Sequence, residues 1–65
     1  MAAYRYTAKL YIGNGLVGSQ EGNDETALYE WMLAQAQSLL GDVHGEVIEN
    51  KTGKIVQRFR KSPPD

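Results

Sequence analysis

One segment of the sequence, GNDETALYEWMLAQAQSLLG at 22–41, predicts a helix and so determines how the shorter segments on either side can be arranged. Its interior is rich in alanine, leucine, glutamine and methionine, which are good helix formers. Asn23 or Asp24 can cap the first turn by accepting backbone N–H bonds. Gly41 stands where a left-handed residue commonly ends a helix, so we expect it to be the C-terminal cap.

The apolar side chains of this helix cover more of its circumference than one sheet requires. At about 100° per residue they spread over roughly half of the helix, and they are Trp31, Leu28, Leu39, Met32, Ala36, Tyr29, Leu40 and Leu33. A helix that lies on one sheet usually needs an apolar stripe little wider than ~100°. The side expected to meet the sheet contains Leu28, Trp31, Met32 and Leu39. Tyr29, Leu33 and Leu40 are expected on the flank, as surplus apolar surface.

The segment YRYTAKLYI at 4–12 alternates in a way that is typical of a half-buried strand, with the even-numbered residues on the buried face. The GNG that follows at 13–15 predicts a hairpin, because its residues tolerate the positive φ of a tight turn. A two-residue loop would pair Ile12 with Val17, and a three-residue loop would pair Ile12 with Leu16. The choice stays open. The returning strand is expected to be short and weak, because Gly18 and Ser19 bury little.

A second hairpin is predicted for DVHGEVIE at 42–49 and KIVQRFRK at 54–61, which flank NKTG. The Asn and Gly of that loop suit a type I turn closed by a left-handed glycine. This register sets Glu49 opposite Lys54, a favourable cross-strand pair. It also sets Ile48 opposite Ile55, and His44 opposite Phe59. One face is then expected to hold Ile48, Ile55, Phe59 and His44, and the other Val43, Val47, Val56, Arg58 and Arg60.

Together these segments predict an α+β fold in the order β-β-α-β-β, an antiparallel sheet of two hairpins with one helix packed across one face. Residues 1–61 are expected to form a single domain, and residues 62–65, which contain two prolines, a disordered tail. The order of the strands in the sheet stays open. A chain of 65 residues without cysteine can bury only a thin core, so it depends on ideal local structure or on a partner subunit.

The sequence offers few groups for catalysis or for binding a metal or cofactor. His44 is its single histidine, and we interpret it as structural rather than as a general base. His44 and Glu46 lie two residues apart on one strand face, but two ligands alone do not make a metal site. GNGLVG at 13–18 lacks the third glycine of a dinucleotide-binding loop, and a predicted strand follows it. We expect no enzyme, no catalytic residue, no metal, no cofactor and no small-molecule substrate.

Charge divides the chain, whose net charge is −1, into an acidic part and a basic end. Residues 20–50 contain no Lys or Arg, whereas residues 51–61 contain no acid and five cations, Lys51, Lys54, Arg58, Arg60 and Lys61. In the predicted strand Lys54, Arg58 and Arg60 share one face, and this arrangement is an alternative candidate for binding nucleic acid. The interpretation that we favour is an edge strand whose cations prevent further strands from adding to the sheet.

The function that the sequence favours is a non-enzymatic protein-interaction module, either a homodimer or a stoichiometric regulator of a larger complex. This expectation rests on the surplus apolar surface, for which Tyr29, Leu33 and Leu40 are the candidate partner-binding residues. No apolar run approaches transmembrane length, and the N-terminal MAAYRYTAKLYI alternates instead of resembling a signal peptide. We therefore expect a cytoplasmic protein that does not bind membranes.

In size, composition and architecture the chain resembles the small proteins carried by phages and other mobile elements. Among these are stoichiometric inhibitors of bacterial defence complexes. The resemblance implies that an acidic patch occupies a nucleic-acid channel of the target, and the residues of that patch are Glu21, Asp24, Glu25 and Glu30.

Overall fold

The computed structural model of the protein describes residues 4–61. The predicted tail at 62–65 lies outside these residues, as do the first three residues of the predicted domain. The elements are β1 (Tyr6–Ile12), β2 (Gly15–Gly22), α1 (Glu25–Gln37), β3 (Val43–Glu49) and β4 (Ile55–Lys61). All strand pairs are antiparallel, in the order β2-β1-β3-β4, and α1 lies across one face of the sheet. The predicted α+β fold class is confirmed. The helix of the described residues lacks the length and apolar character needed to cross a membrane.

The first hairpin has neither of the two predicted registers. Its loop consists of Gly13 and Asn14, so the returning strand begins at Gly15, earlier than either prediction placed it. Ile12 pairs with Gly15, and only the first loop residue, Gly13, has a positive φ, +58°. This pattern suits a type II′ turn, which has glycine at its first central position. A bulge then leaves Val17 unpaired. The expectation of a short strand is also wrong, since β2 contains eight residues. Backbone pairing with β1 maintains the strand although none of its residues is buried.

The helix begins where the sequence predicted and ends earlier. The Asp24 carboxylate accepts hydrogen bonds from the N–H groups of Thr26 and Ala27, so Asp24 is the predicted N-cap. At the other end α1 stops at Gln37, with Ser38 at the C-cap. The predicted cap at Gly41 is therefore wrong, although Gly41 does have a positive φ of 100°.

The last turn of α1 is closed by a lysine from another strand. The Lys61 Nζ donates hydrogen bonds to the carbonyl oxygens of Ala36, at 3.0 Å, and Leu39, at 3.2 Å. A cation suits the negative end of the helix dipole, and here it adds to the hydrogen bond that the Ala36 carbonyl already accepts from the Leu39 N–H at 3.1 Å. Because these local bonds and Lys61 together close the last turn, the helix ends without a left-handed glycine, and Leu39 and Leu40 lie beyond it.

The core lies between α1 and one face of the sheet. Its buried side chains are Tyr6, Ala8, Leu10, Leu28, Met32, Ala36, Val43 and Val47. Tyr6, Ala8 and Leu10 are thus buried as predicted and Ile12 is partly buried, whereas Tyr4 lies before β1 and is 45% exposed. Gly45 lies beneath Met32, and the close approach of the helix depends on its lack of a side chain: a Cβ there would lie 2.9 Å from the Met32 Sδ.

The second hairpin confirms the predicted loop but not the predicted faces. Ile48 pairs with Ile55, and Gly53 closes the loop with a φ of +75°. A bulge in β4 leaves Val56 unpaired, so His44 lies opposite Arg60 rather than opposite Phe59 as predicted. Phe59 instead pairs with Gly45 and therefore faces the helix. The face away from α1, here called the open face, receives His44, Ile48, Ile55, Arg58 and Arg60. The cause is the inserted residue, which reverses the alternation of the strand.

Candidate protein-binding surfaces

An apolar groove lies between α1 and β4, on the flank where the sequence placed surplus apolar residues. The β4 groove, as we call it, has a volume of about 530 Å³ and is lined by Leu33, Ala36, Gln37, Phe59, Arg60 and Lys61. Leu33 is 38% exposed. Tyr29 packs edge-on against Phe59, with ring centroids 6.3 Å apart, and so supports one wall. Two of the three predicted partner-binding apolar residues, Tyr29 and Leu33, thus belong to one surface.

Leu40, the third of these residues, lies apart from the β4 groove. It follows the end of α1 and is 88% exposed, more than any other large apolar side chain among the described residues. The sequence placed it on the helix flank because the helix was expected to continue to Gly41. An isolated exposed leucine is common on protein surfaces and does not by itself indicate a binding site.

The four acidic residues predicted to form one patch are only partly together. Glu21 and Asp24 line the same small groove of about 250 Å³ between β2 and the start of α1. The Asp24 carboxylate is occupied by its capping bonds. Glu25 accepts a hydrogen bond from the Gln57 amide at 3.4 Å, on the other side of the helix, and Glu30 is exposed further along α1.

The five basic residues of the alternative nucleic-acid site are dispersed. Lys51 lies in the loop before β4, and the bulge at Val56 separates the face of Lys54 from that of Arg58. Arg58 and Arg60 thus share one strand face as predicted, but Lys54 does not. Arg60 forms a two-pronged ion pair with the exposed Asp42, with both N–O distances at 3.2 Å. Lys61, as described, closes the helix.

The open face carries an aromatic pair on the two central strands. Tyr11 and His44 are directly opposite, and their rings are stacked with centroids 5.2 Å apart and planes inclined by 13°. The next cross-strand row contains Lys9, Glu46 and Arg58. The His44 ring thus packs on Tyr11 rather than beside Phe59. Within residues 4–61 no three His, Asp or Glu side chains are placed to hold a metal ion.

The edge formed by β2 is a further surface, and the sequence reasoning did not identify it. Leu16 is 56% and Val17 49% exposed. From Gly15 to Gly22 the strand contains no lysine or arginine, and Glu21 is its single charged residue. The lack of charge is visible in the sequence, but it indicates an unprotected edge only when the strand order, which places β2 at the edge of the sheet, is known.

Comparison of the chain with models of protein families, with curated proteins and with solved structures found no match.

Proposed function

We propose that the protein is a non-enzymatic protein-interaction module that binds an extended segment of a partner along β4. The observation that carries this proposal is the position of the apolar β4 groove directly beside an unpaired strand edge. Proteins commonly recognise extended peptides by adding them to a sheet edge, where main-chain hydrogen bonds give affinity and adjoining pockets select side chains. Leu33 and Phe59 supply an apolar pocket of this kind.

The charge of β4 indicates the chemistry of the partner. Arg58, Arg60 and Lys61 fall within its last four residues, and Lys54 directly precedes the strand. Arg58 is the central residue of the seven, so a two-fold pairing of β4 with itself would set Arg58 against Arg58. Like charges directly opposite destabilise a strand pair. The proposed occupant is therefore a different protein, with a segment that alternates acidic and apolar residues.

Selection from a displayed library of random heptapeptides tests this proposal. We expect the wild-type protein to enrich peptides in which Asp or Glu alternates with apolar residues. The variant Leu33→Lys should lose this enrichment, because it fills the β4 groove with a charge. The matched control is Ala34→Lys, which adds the same charge to an exposed position on the same helix and should behave like the wild type. No enrichment by the wild type, or enrichment that survives Leu33→Lys, would contradict the proposal.

A module of this kind acts by occupying a surface of its target, one molecule for each site. We therefore propose a stoichiometric regulator or inhibitor of a larger complex, in line with the small phage-carried proteins that the chain resembles in size and architecture. Under this proposal Glu30, which is exposed on α1, remains available to a basic target surface. The proposed compartment is the cytoplasm, which suits a sequence that has no cysteine to oxidise.

Nucleic-acid binding is the second candidate, and the aromatic pair on the open face is the observation that favours it. Aromatic rings on the central strands of a sheet, flanked by cations such as Lys9 and Arg58, are typical of surfaces that stack bases of single strands. If this function is present, labelled single-stranded DNA or RNA should change its fluorescence anisotropy at low salt. Arg58→Ala should weaken binding and reduce its salt dependence, whereas Lys51→Ala should have less effect. Lack of binding at low salt would exclude this candidate.

A further inference from the structure

The two edges of the sheet differ in how well they are protected against pairing with another strand. Proteins commonly protect edges with lysine, arginine, proline or bulges, because the unpaired N–H and C=O groups of an edge accept further strands. Both edge strands contain a bulge, at Val17 and at Val56. Only β4 also carries cations, whereas β2 has one charge in eight residues. The β2 edge is therefore the less protected of the two.

We infer that the β2 edge binds the β2 edge of a second copy of this chain, so that two sheets join into one of eight strands. The strand is compatible with itself. In an antiparallel pairing centred between Gly18 and Ser19, Leu16 lies opposite Glu21, and Val17 opposite Gln20. No like charges meet, in contrast to the Arg58 contact that β4 would make with itself. This inference does not rest on the proposed partner at β4.

The helix side of the same edge is also suited to a second copy. A two-fold axis perpendicular to the sheet brings both helices onto one face of the joined sheet, with their β2-side flanks towards each other. On that flank Trp31 packs over Gly18, where a Cβ would lie 3.7 Å from the indole ring, and it remains partly exposed. Ala27, one helical turn before Trp31, lines with it the small groove between β2 and the start of α1. A partly exposed tryptophan beside a small residue has the composition of an interface centre.

Trp31 is the single tryptophan of the chain, so its fluorescence reports on this surface directly. We expect sedimentation equilibrium to give a dimer, and the Trp31 emission to shift to shorter wavelength as dilute protein is concentrated. The double variant Leu16→Glu and Val17→Glu should raise the dimer dissociation constant at least about tenfold, equivalent to ~1.4 kcal/mol. Leu16 lies opposite Glu21 of the second copy, so a glutamate there sets two acids directly opposite each other on both sides of the two-fold axis.

The matched control is the double variant Ile55→Glu and Val56→Glu on the other edge. These two residues are 40% and 37% exposed, so they receive the same charges in a comparable environment, and the dimer should persist. The Leu16 and Val17 variant should still enrich the same heptapeptides at β4 as the wild type. This result would distinguish loss of the dimer from loss of the peptide site. A monomeric wild type, a β2 variant that still dimerises, or an equal loss in both double variants would overturn the inference.

Discussion

Replacement of Gly45 by alanine tests the packing on which both the core and the β4 groove depend. An added Cβ would lie 2.7 Å from the Phe59 Cε1, 2.9 Å from the Met32 Sδ and 3.1 Å from the Lys9 carbonyl oxygen. Carbon atoms in contact are normally about 3.5–4.0 Å apart. Met32 is fully buried and the carbonyl belongs to the paired backbone of β1, so neither can move away easily. Phe59, which is only partly buried, has to swing outward.

The expected cost of Gly45→Ala is that of overpacking, about 1–3 kcal/mol. A core of this size supplies a net stability of only about 3–5 kcal/mol, so the variant loses a large share of it. For a domain of this length, 2 kcal/mol corresponds to a decrease in Tm of roughly 8–16 °C. Circular dichroism during heating and during urea denaturation measures both quantities. Displacement of Phe59 should in addition weaken peptide binding at the β4 groove.

The control for this variant is Gly18→Ala, which also places a Cβ on a strand beneath a helix side chain. Its nearest neighbour outside the strand would be the Trp31 ring at 3.7 Å, an ordinary contact, and its φ is not positive. We expect unchanged stability or a gain of up to ~1 kcal/mol from a less flexible unfolded chain. If the free energy of unfolding of Gly45→Ala lies within about 0.5 kcal/mol of the wild-type value, tight packing around Gly45 is refuted.

Three further experiments test the ends of α1 and the surface ion pair. Asp24→Ala removes the N-cap and should lower the free energy of unfolding by ~1 kcal/mol in urea denaturation; an unchanged midpoint would contradict its capping role. Lys61→Met keeps the apolar stem but removes the cation from the last turn. It should cost about 0.3–1 kcal/mol, with a smaller loss at high salt than at low salt. A double-mutant cycle between Asp42→Ala and Arg60→Ala should give a coupling below ~1 kcal/mol, because both side chains are exposed.

The features that local sequence determines were predictable. The capping of α1 by Asp24, the left-handed Gly53 and the pairing of Ile48 with Ile55 follow from residue types and from the spacing of a short loop. The end of α1 was not predictable in the same way. Lys61 is more than twenty residues away from the carbonyls it satisfies, and no local pattern indicates such a contact.

The bulges explain the largest difference between prediction and structure. Val17 and Val56 are β-branched residues of the type that ordinary strands contain, so nothing in their identity marks them as unpaired. Yet each reverses the alternation of the residues that follow. Phe59 moves to the helix side for this reason, and Arg58 and Arg60 move to the open face.

The inserted residue in β4, Val56, also determines which side chains lie at the β4 groove and which lie on the open face. With Phe59 beneath the helix flank, the groove beside β4 has an apolar wall, and with Arg58 on the open face the strand keeps a cation at its centre. Under the proposed function, an edge of this kind disfavours pairing with its own copy but admits an acidic segment with apolar side chains. The opposite edge has no cations to oppose pairing with its own copy. We therefore propose that the asymmetry between the edges, rather than the amount of exposed apolar surface alone, separates a site for a foreign strand from a site for self-association.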